Sequence, residues 1–352
     1  MATSRHRRLG IIGVVAAVVV AALGVANVRA NPAPDLPAVG ADTLLASTLS
    51  ALAHPFSISG EVSTHVDIGI PSIPSSFGGG ALGPVALAIG DQHFKVWRSP
   101  DGLRVAHLLD LGEQDLIANA HDAWFWDSSS MSAVHLAIPP SATDSPPTPS
   151  SPIPSPSDAD FLSIARRAIS AVGPYADVTV EGTAFVAGRP SYELVLTPTS
   201  TLTLIGRIVV AVDAETRLPL QLQVFPRGSD VAAIEGGFTS VSTAPIDPSM
   251  FVFTAPPGAT VRQAADAFVA AERHVASSAQ PSPASPPRVF GEGFETRIAI
   301  ELHSPLPRGA VTLLPYAGSL LSAITVERGG RTWLLVGPVP VATLEQDAAA
   351  LP

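Results

Sequence analysis

Four histidines, His93, His107, His121 and His135, recur at intervals of fourteen residues. Imidazoles gathered in space would bind zinc. Gathering these four needs a meander whose hairpins all bring the same face forward. Strand parity speaks against it: His107 falls with the apolar residues of its segment, His135 with the polar ones, and His121 in a turn. Asp110-x-Gly112-Glu113-x-Asp115 is a small acidic cluster of the kind that offers oxygens to calcium, but an acid-rich turn is ordinarily just solvated. Gly78-Gly79-Gly80-Ala81-Leu82-Gly83 spells the phosphate cradle of dinucleotide folds. Pro84 and an apolar run follow it, and the strand before and helix after that the motif needs are not evident. The serine-hydrolase elbow is absent, since Ser319 has Ala317 and Leu321 where its glycines would stand; H-E-x-x-H and P-loop motifs are absent too. With no cysteine in 352 residues, disulfides, thiolate metal sites, thiol nucleophiles and a lipid-modified N-terminal cysteine are excluded. The residues therefore read as those of a non-enzyme, with no catalytic set, no metal and no cofactor.

Charge narrows the partners. The chain carries 20 basic and 30 acidic residues, and Lys95 is its one lysine. Removing the first 30 residues takes away Arg5, Arg7, Arg8 and Arg29 and no acid, so the net charge falls from −10 to −14. A chain this acidic, with no basic patch, does not bind nucleic acid. The missing residues are an address: three arginines, an apolar run from Leu9 to Ala26, then a Val-x-Ala pattern at Val28–Ala30. Eighteen helical residues span about 27 Å, close to the ~30 Å hydrocarbon core, so residues 1–30 read either as a cleaved signal peptide or as a retained signal anchor. Both readings export residues 31–352 to the cell envelope or beyond.

The elements that would position any site are mostly strands. After a linker at 31–40, Ala41–Ala53 has helical periodicity with Asp42 as its N-cap, and His54-Pro55 ends it. Phe56–Ile70 alternates over about fifteen residues: Phe56, Ile58, Val62, Val66, Ile68 and Ile70 on one parity, Ser57, Ser59, Glu61, Ser63, His65 and Asp67 on the other. That is a long strand with one buried and one wet face. A Gly/Pro loop at Pro71–Pro84 leads to five short strands between His93 and Ile138, separated by close turns, which is an antiparallel meander. Pro139–Ser157, with eight prolines, reads as a solvated insertion. A helix over residues 158–172 follows, and then a second meander from Asp177 to Thr254 that ends in a strand at Met250–Thr254. Thr260–Ser277 reads as helical. The Pro-rich linker 281–290 precedes a small α/β C-terminal region, 291–352. More than ten strands without βαβ alternation make the chain antiparallel α+β.

Apolar patterning is the most informative signal. Trp124 and Trp126 share one face of a strand, and Trp97 lies in the same meander. Few helices are available to cover so large a sheet. A curved sheet with too little cover leaves an apolar concavity, the usual form of a lipid site.

The run FKVWRSPDGLRVAHLLDLGEQDLIANAHDAWFWDSSSMSAVHLAI, from Phe94 to Ile138, resembles the outer-membrane lipoprotein carrier (LolA) family and its relatives, the RseB/MucB-type envelope sensors. Trp124 and Trp126 stand at the family's aromatic pair, and His121-Asp122 replaces its Asp-Gly turn. RPSYELVLTP, IVVAVDAETRLPLQLQVF and FTSV follow in family order, and F-x-F-T-x-P-P-G-x-x-V at Phe251–Val261 is the most specific piece. The resemblance covers about residues 41–265 and implies, over residues 41–280, an open β half-barrel of about eleven antiparallel strands covered by a few helices. It implies an apolar interior that holds a lipid or acyl chain, or alternatively a sensor that binds a membrane surface or a membrane-anchored partner such as an anti-sigma factor. Arg98 matches a family position at the cavity mouth, with Ser99 intervening before Pro100. Together with the apolar parity of the long strand and the three tryptophans, this gives an expected lining of Val62, Val66, Ile68, Trp97, Arg98, Trp124 and Trp126. The insertion 139–157 and the region 291–352 are not part of the minimal carrier.

Overall fold

The structure, a computed structural model, describes residues 33–69, 89–138, 173–264, 287–302 and 314–352. The expected signal or anchor, the Gly/Pro loop, the Pro-rich insertion, the helix over 158–172 and most of the 281–290 linker lie outside these residues. Among the described residues no helix is long and apolar enough to cross a membrane; the apolar run Leu9–Ala26 lies outside them.

The main body is one open sheet of twelve strands: β1 (Ile58–Val66), β2 (Gly90–Ser99), β3 (Gly102–Leu109), β4 (Gly112–Asn119), β5 (Asp122–Asp127), β6 (Ser132–Ala137), β7 (Ala176–Val186), β8 (Arg189–Pro198), β9 (Ile205–Asp213), β10 (Pro219–Pro226), β11 (Ile234–Ser242) and β12 (Thr260–Gln263). Its spatial order is β12-β6-β5-β4-β3-β2-β1-β11-β10-β9-β8-β7. The two meanders are thus joined side by side through β1 and β11. Two expectations need correction. Met250–Thr254 is no strand: Pro248–Phe251 is a 3₁₀ turn capped by the Asp247 side chain, and an extended segment follows. The expected helix at Thr260 begins instead as β12, which pairs in parallel with β6. This pairing is what raises the count to twelve strands and departs from a purely antiparallel sheet.

Local chemistry explains the hairpins. Asn119 Oδ1 accepts the backbone N–H groups of His121 and Asp122 at 2.8 and 3.0 Å, turning β4 into β5. Asp127 does the same for β5–β6, accepting from Ser129 N at 2.9 Å and the Ser129 hydroxyl at 2.6 Å; that hydroxyl, more than any other contact, holds its carboxyl below the usual range. At β9–β10, buried Asp213 accepts from Thr216 N at 2.6 Å and pairs with Arg189. Burial works against its charge, but the Arg189 and Thr216 hydrogen bonds prevail and hold its carboxyl low. Gly60 is obligatory for a different reason: a Cβ there would stand 2.0 Å from the Ser240 carbonyl oxygen, at the bulge where β1 crosses β11.

The sheet is curled. Val186 of β7, Val62 of β1 and Val96 of β2 share one buried cluster although β7 lies five places from β1 in the sheet. Strands that distant meet only across a concave face. The helix α1 (Ala41–Ala53) lies on that face, with Leu44 fully buried against Tyr192, Leu194 and Val212. Its N-cap is Gly40, not Asp42; Asp42 sits in the first turn, where a carboxylate complements the helix dipole. His54 is extended, as a residue before proline must be, and its N–H closes the last turn on Ser50 O at 3.1 Å.

Residues 288–351 add a five-stranded antiparallel sheet: β13 (Arg288–Phe290), β14 (Arg297–Leu302), β15 (Tyr316–Ala317), β16 (Ser322–Arg328) and β17 (Arg331–Gly337), in the order β13-β14-β17-β16-β15. The helix α2 (Val341–Ala348) covers one face over Trp333, Leu335 and Leu344. Arg297, held by Asp347 at 2.5 and 3.1 Å, ties β14 to that helix. This sheet meets the large one at several points. Leu320 enters a cluster with Ile68, Leu222 and Val224; Tyr316 Oη donates to Ile68 O; and Leu204 N donates to Pro338 O at 2.7 Å.

Candidate ligand-binding face

Register fixes which side chains share a face, because directly paired residues point the same way. Three rows cross β2–β6 on the concave side. The first is polar after its leading ring: Phe94, His107, Gln114, Asp127 and Ser132. The second is apolar: Val96, Val105, Leu116, Phe125 and Val134, ending at Arg262 of β12. The third is Arg98, Leu103, Ala118, Ala123 and Leu136.

Exposure along the second row changes in one direction. Val96 is 7% exposed, beside the core under α1; Leu116 and Phe125 are 43% and 44% exposed. Leu136, the next row's outermost residue, is 47% exposed. The two rows form an apolar lane that is closed at β1–β2 and opens toward the β6–β12 edge. The polar row bounds it. His107 stacks on Phe94 at 4.7 Å and meets Gln92 Oε1 at 2.7 Å. Burial pushes its pKa down, against a smaller opposing contribution from Gln114, which favours the uncharged ring.

The structure divides the expected lining between the two faces of the sheet. Val62 and Val66 share the concave side with Arg98, and Ile68, just past the end of β1, packs in the concave cluster under Leu320. Val62, Val66 and Ile68 are core of the covered half and do not face the open lane. Arg98 is exposed and lies over the Phe56 ring at 4.8 Å. Trp97, Trp124 and Trp126 are on the opposite, convex side: Trp97 pairs with Ser59, on the polar parity of β1. The segment after β11 covers them. Phe253 packs on Trp124 and Trp126 at 5.3 and 5.7 Å, and buried Phe251 lies at the β3–β4 edge, where Asn119 Nδ2 donates to its carbonyl at 2.9 Å. Arg104, paired with buried Asp115, reaches over Trp97 at 5.6 Å. The tryptophans are therefore a packed layer beneath this segment, and the seven residues do not line one cavity. The residues missed were Leu116, Phe125, Val134, Leu136 and Arg262. Their signal was present: Leu116 and Phe125 alternate with Ile117 and Trp126, so both faces of these strands are apolar.

The four periodic histidines do not converge. His93 and His135 are on the convex side and His107 on the concave one, and His135 is engaged by Asp122 at 2.6 Å and stacked on Trp124 at 4.0 Å. Among the described residues no group of three or more metal-ligating side chains occurs. A second concavity, ≈ 440 Å³, lies at the junction of the two sheets, between Tyr175, Ser200 and Leu202 and the segment Glu292–Glu295. Tyr175 Oη donates to Glu292 across it at 3.0 Å, so it reads as a joint.

No family model and no curated protein matches the chain. Among solved structures it is similar to a chain of the Pseudomonas aeruginosa MucA/MucB complex, at 16% identity over 87% of this chain and 96% of that one, with a TM-score of 0.47. It is similar to an uncharacterized conserved protein from Thermus thermophilus (9% identity, 62% and 96% covered, TM-score 0.34). It is also similar to a LolA superfamily protein from Nitrosomonas europaea (9% identity, 61% and 99% covered, TM-score 0.23). These are likenesses of fold.

Proposed function

We propose that this is an exported, non-enzymatic binding protein of the cell envelope that holds a lipid or acyl chain on the open half of its concave face. One observation carries the reading: the apolar lane of Val105, Leu116, Phe125, Val134 and Leu136 is in register across four strands and is left exposed, while the rest of the same face is covered by α1 and Leu320. Soluble proteins rarely leave contiguous apolar surface open without a use for it. The lane spans about 19 Å from β3 to β12 at ~4.8 Å per strand, more than the ~15 Å of one acyl layer of a bilayer. At roughly 25 cal/mol per Å² of apolar area removed from water, a long acyl chain reaches micromolar affinity after the costs of association. Native mass spectrometry of protein purified from its own envelope tests the reading. A co-purifying acylated molecule is expected, released by Phe125→Asp; a bare protein that also fails to take up added lipid contradicts it.

A second reading has its own observation. On the outer face of the second sheet, Val289, Ile298 and Ile300 lie in adjoining register positions and are exposed. That surface suits a protein partner, and a sensor of a membrane-anchored regulator such as an anti-sigma factor would use it. A protein that carries no acyl ligand and loses a defined envelope partner on Ile298→Lys would put this reading first.

A further inference from the structure

The lane has two different ends. At β1–β2 it runs into side chains already sealed under α1: Val96 and Val62 are buried, in one cluster with Leu52 of the helix. A hydrated head group placed there would lose its water without replacement. At the other end the row passes Phe125 and Val134 and stops at Arg262, on the exposed edge strand β12, in register with Val134. Arg262 forms no ion pair among the described residues, whereas Arg98, the other cation on this face, lies over the Phe56 ring. The chain as a whole is acidic, with a net charge of −10, so a cation at the mouth of an apolar lane is a local exception to the prevailing field.

Resting on the acyl-chain reading above, we infer that the lane takes a single acyl chain tail-first, with an anionic head group, the carboxylate of a free fatty acid, received by Arg262 at the β6–β12 edge. A planar guanidinium matches a carboxylate in two-point geometry, and an exposed edge leaves the head partly hydrated. The polar row of His107, Gln114 and Asp127 flanks the lane along its length and does not meet its end, so it limits the width of what lies there.

The test is a head-group series on one chain length: laurate, dodecanol and dodecyltrimethylammonium, each titrated by calorimetry into delipidated wild type, Arg262→Gln and Arg98→Gln. Arg262 is exposed, so its variant is expected to fold, and an unchanged melting temperature verifies this. Wild type should favour laurate over dodecanol by roughly 5-fold at low salt, the size of an exposed charge pair. That preference should vanish in Arg262→Gln, persist in Arg98→Gln and shrink as salt is raised. Equal binding of all three ligands, or a preference that survives Arg262→Gln, overturns the head-group assignment while leaving acyl binding standing. Loss of the preference in Arg98→Gln alone reverses the orientation and also overturns it. Failure of all three ligands to bind overturns the acyl reading itself.

Discussion

The two halves of the concave face are built from the same kind of strand and end in opposite states. Around β1 and β7–β11, the apolar side chains Val62, Leu194, Val212, Leu220 and Phe238 are buried beneath α1 and the neighbouring strands. Across β4–β6, Leu116, Phe125 and Leu136 carry the same alternation and stand exposed. What differs is the cover and not the strands. A thirteen-residue helix is about 20 Å long, enough for roughly four strands at ~4.8 Å spacing and not for twelve. The covered half is where the fold gets its stability, and the open half is where apolar surface is available to a ligand.

That contrast is broken most severely from the covered side. Val62→Asp puts an unpaired carboxylate between Phe94 and Phe238, which costs several kcal/mol; the variant should fail to fold cooperatively in a denaturant titration. Leu44→Ala removes the fully buried anchor of α1 and should cost about 2–5 kcal/mol, read as a lower urea midpoint at unchanged slope. On the open side, Phe125→Asp should change stability by less than about 1 kcal/mol, because its ring is already 44% exposed, while acyl uptake is lost. A Phe125→Asp protein that melts several degrees lower would show that the lane is core after all.

A smaller effect separates the polar row from the lane. Burial lowers the pKa of His107 below its ordinary 6.5. A base whose folded pKa is depressed stabilises the protein fully above its unfolded value and loses that contribution as pH falls through the folded one. Stability should therefore decline modestly as pH drops below about 6.5, and His107→Gln should flatten that part of the profile. A profile identical in wild type and variant would mean that the ring is hydrated.

Much of this was legible in the sequence, and for local reasons. The parity of β1, the turns at Asn119, Asp127 and Asp213, and the stop at His54-Pro55 depend on residues within a few positions of one another. The phase between strands is less local. Trp97 pairs with Ser59 only because β1 and β2 meet in the register Ile58↔Arg98, and the long Gly/Pro stretch between them hides that register. Within β5, Trp124 and Trp126 outshone Phe125, yet the tryptophans are the covered side and Phe125 the open one. Strand β12 escaped altogether: its partner β6 is 128 residues away, and a helical pattern in the residues around it was overridden by pairing. The Arg262 end of the lane was invisible with it.

The central claim is that the open lane on the concave face, and not the tryptophan layer on the convex face, receives the acyl chain. A chain without cysteine permits a direct test. One polarity-sensitive fluorophore is placed at Leu116→Cys in the lane, and in a separate protein at exposed His93→Cys on the convex side. On titration with laurate, the lane probe should shift to shorter wavelength and saturate, while the convex probe and the emission of Trp97, Trp124 and Trp126 stay nearly unchanged. A saturating shift in the tryptophans or the convex probe, with a silent probe at position 116, would contradict the account.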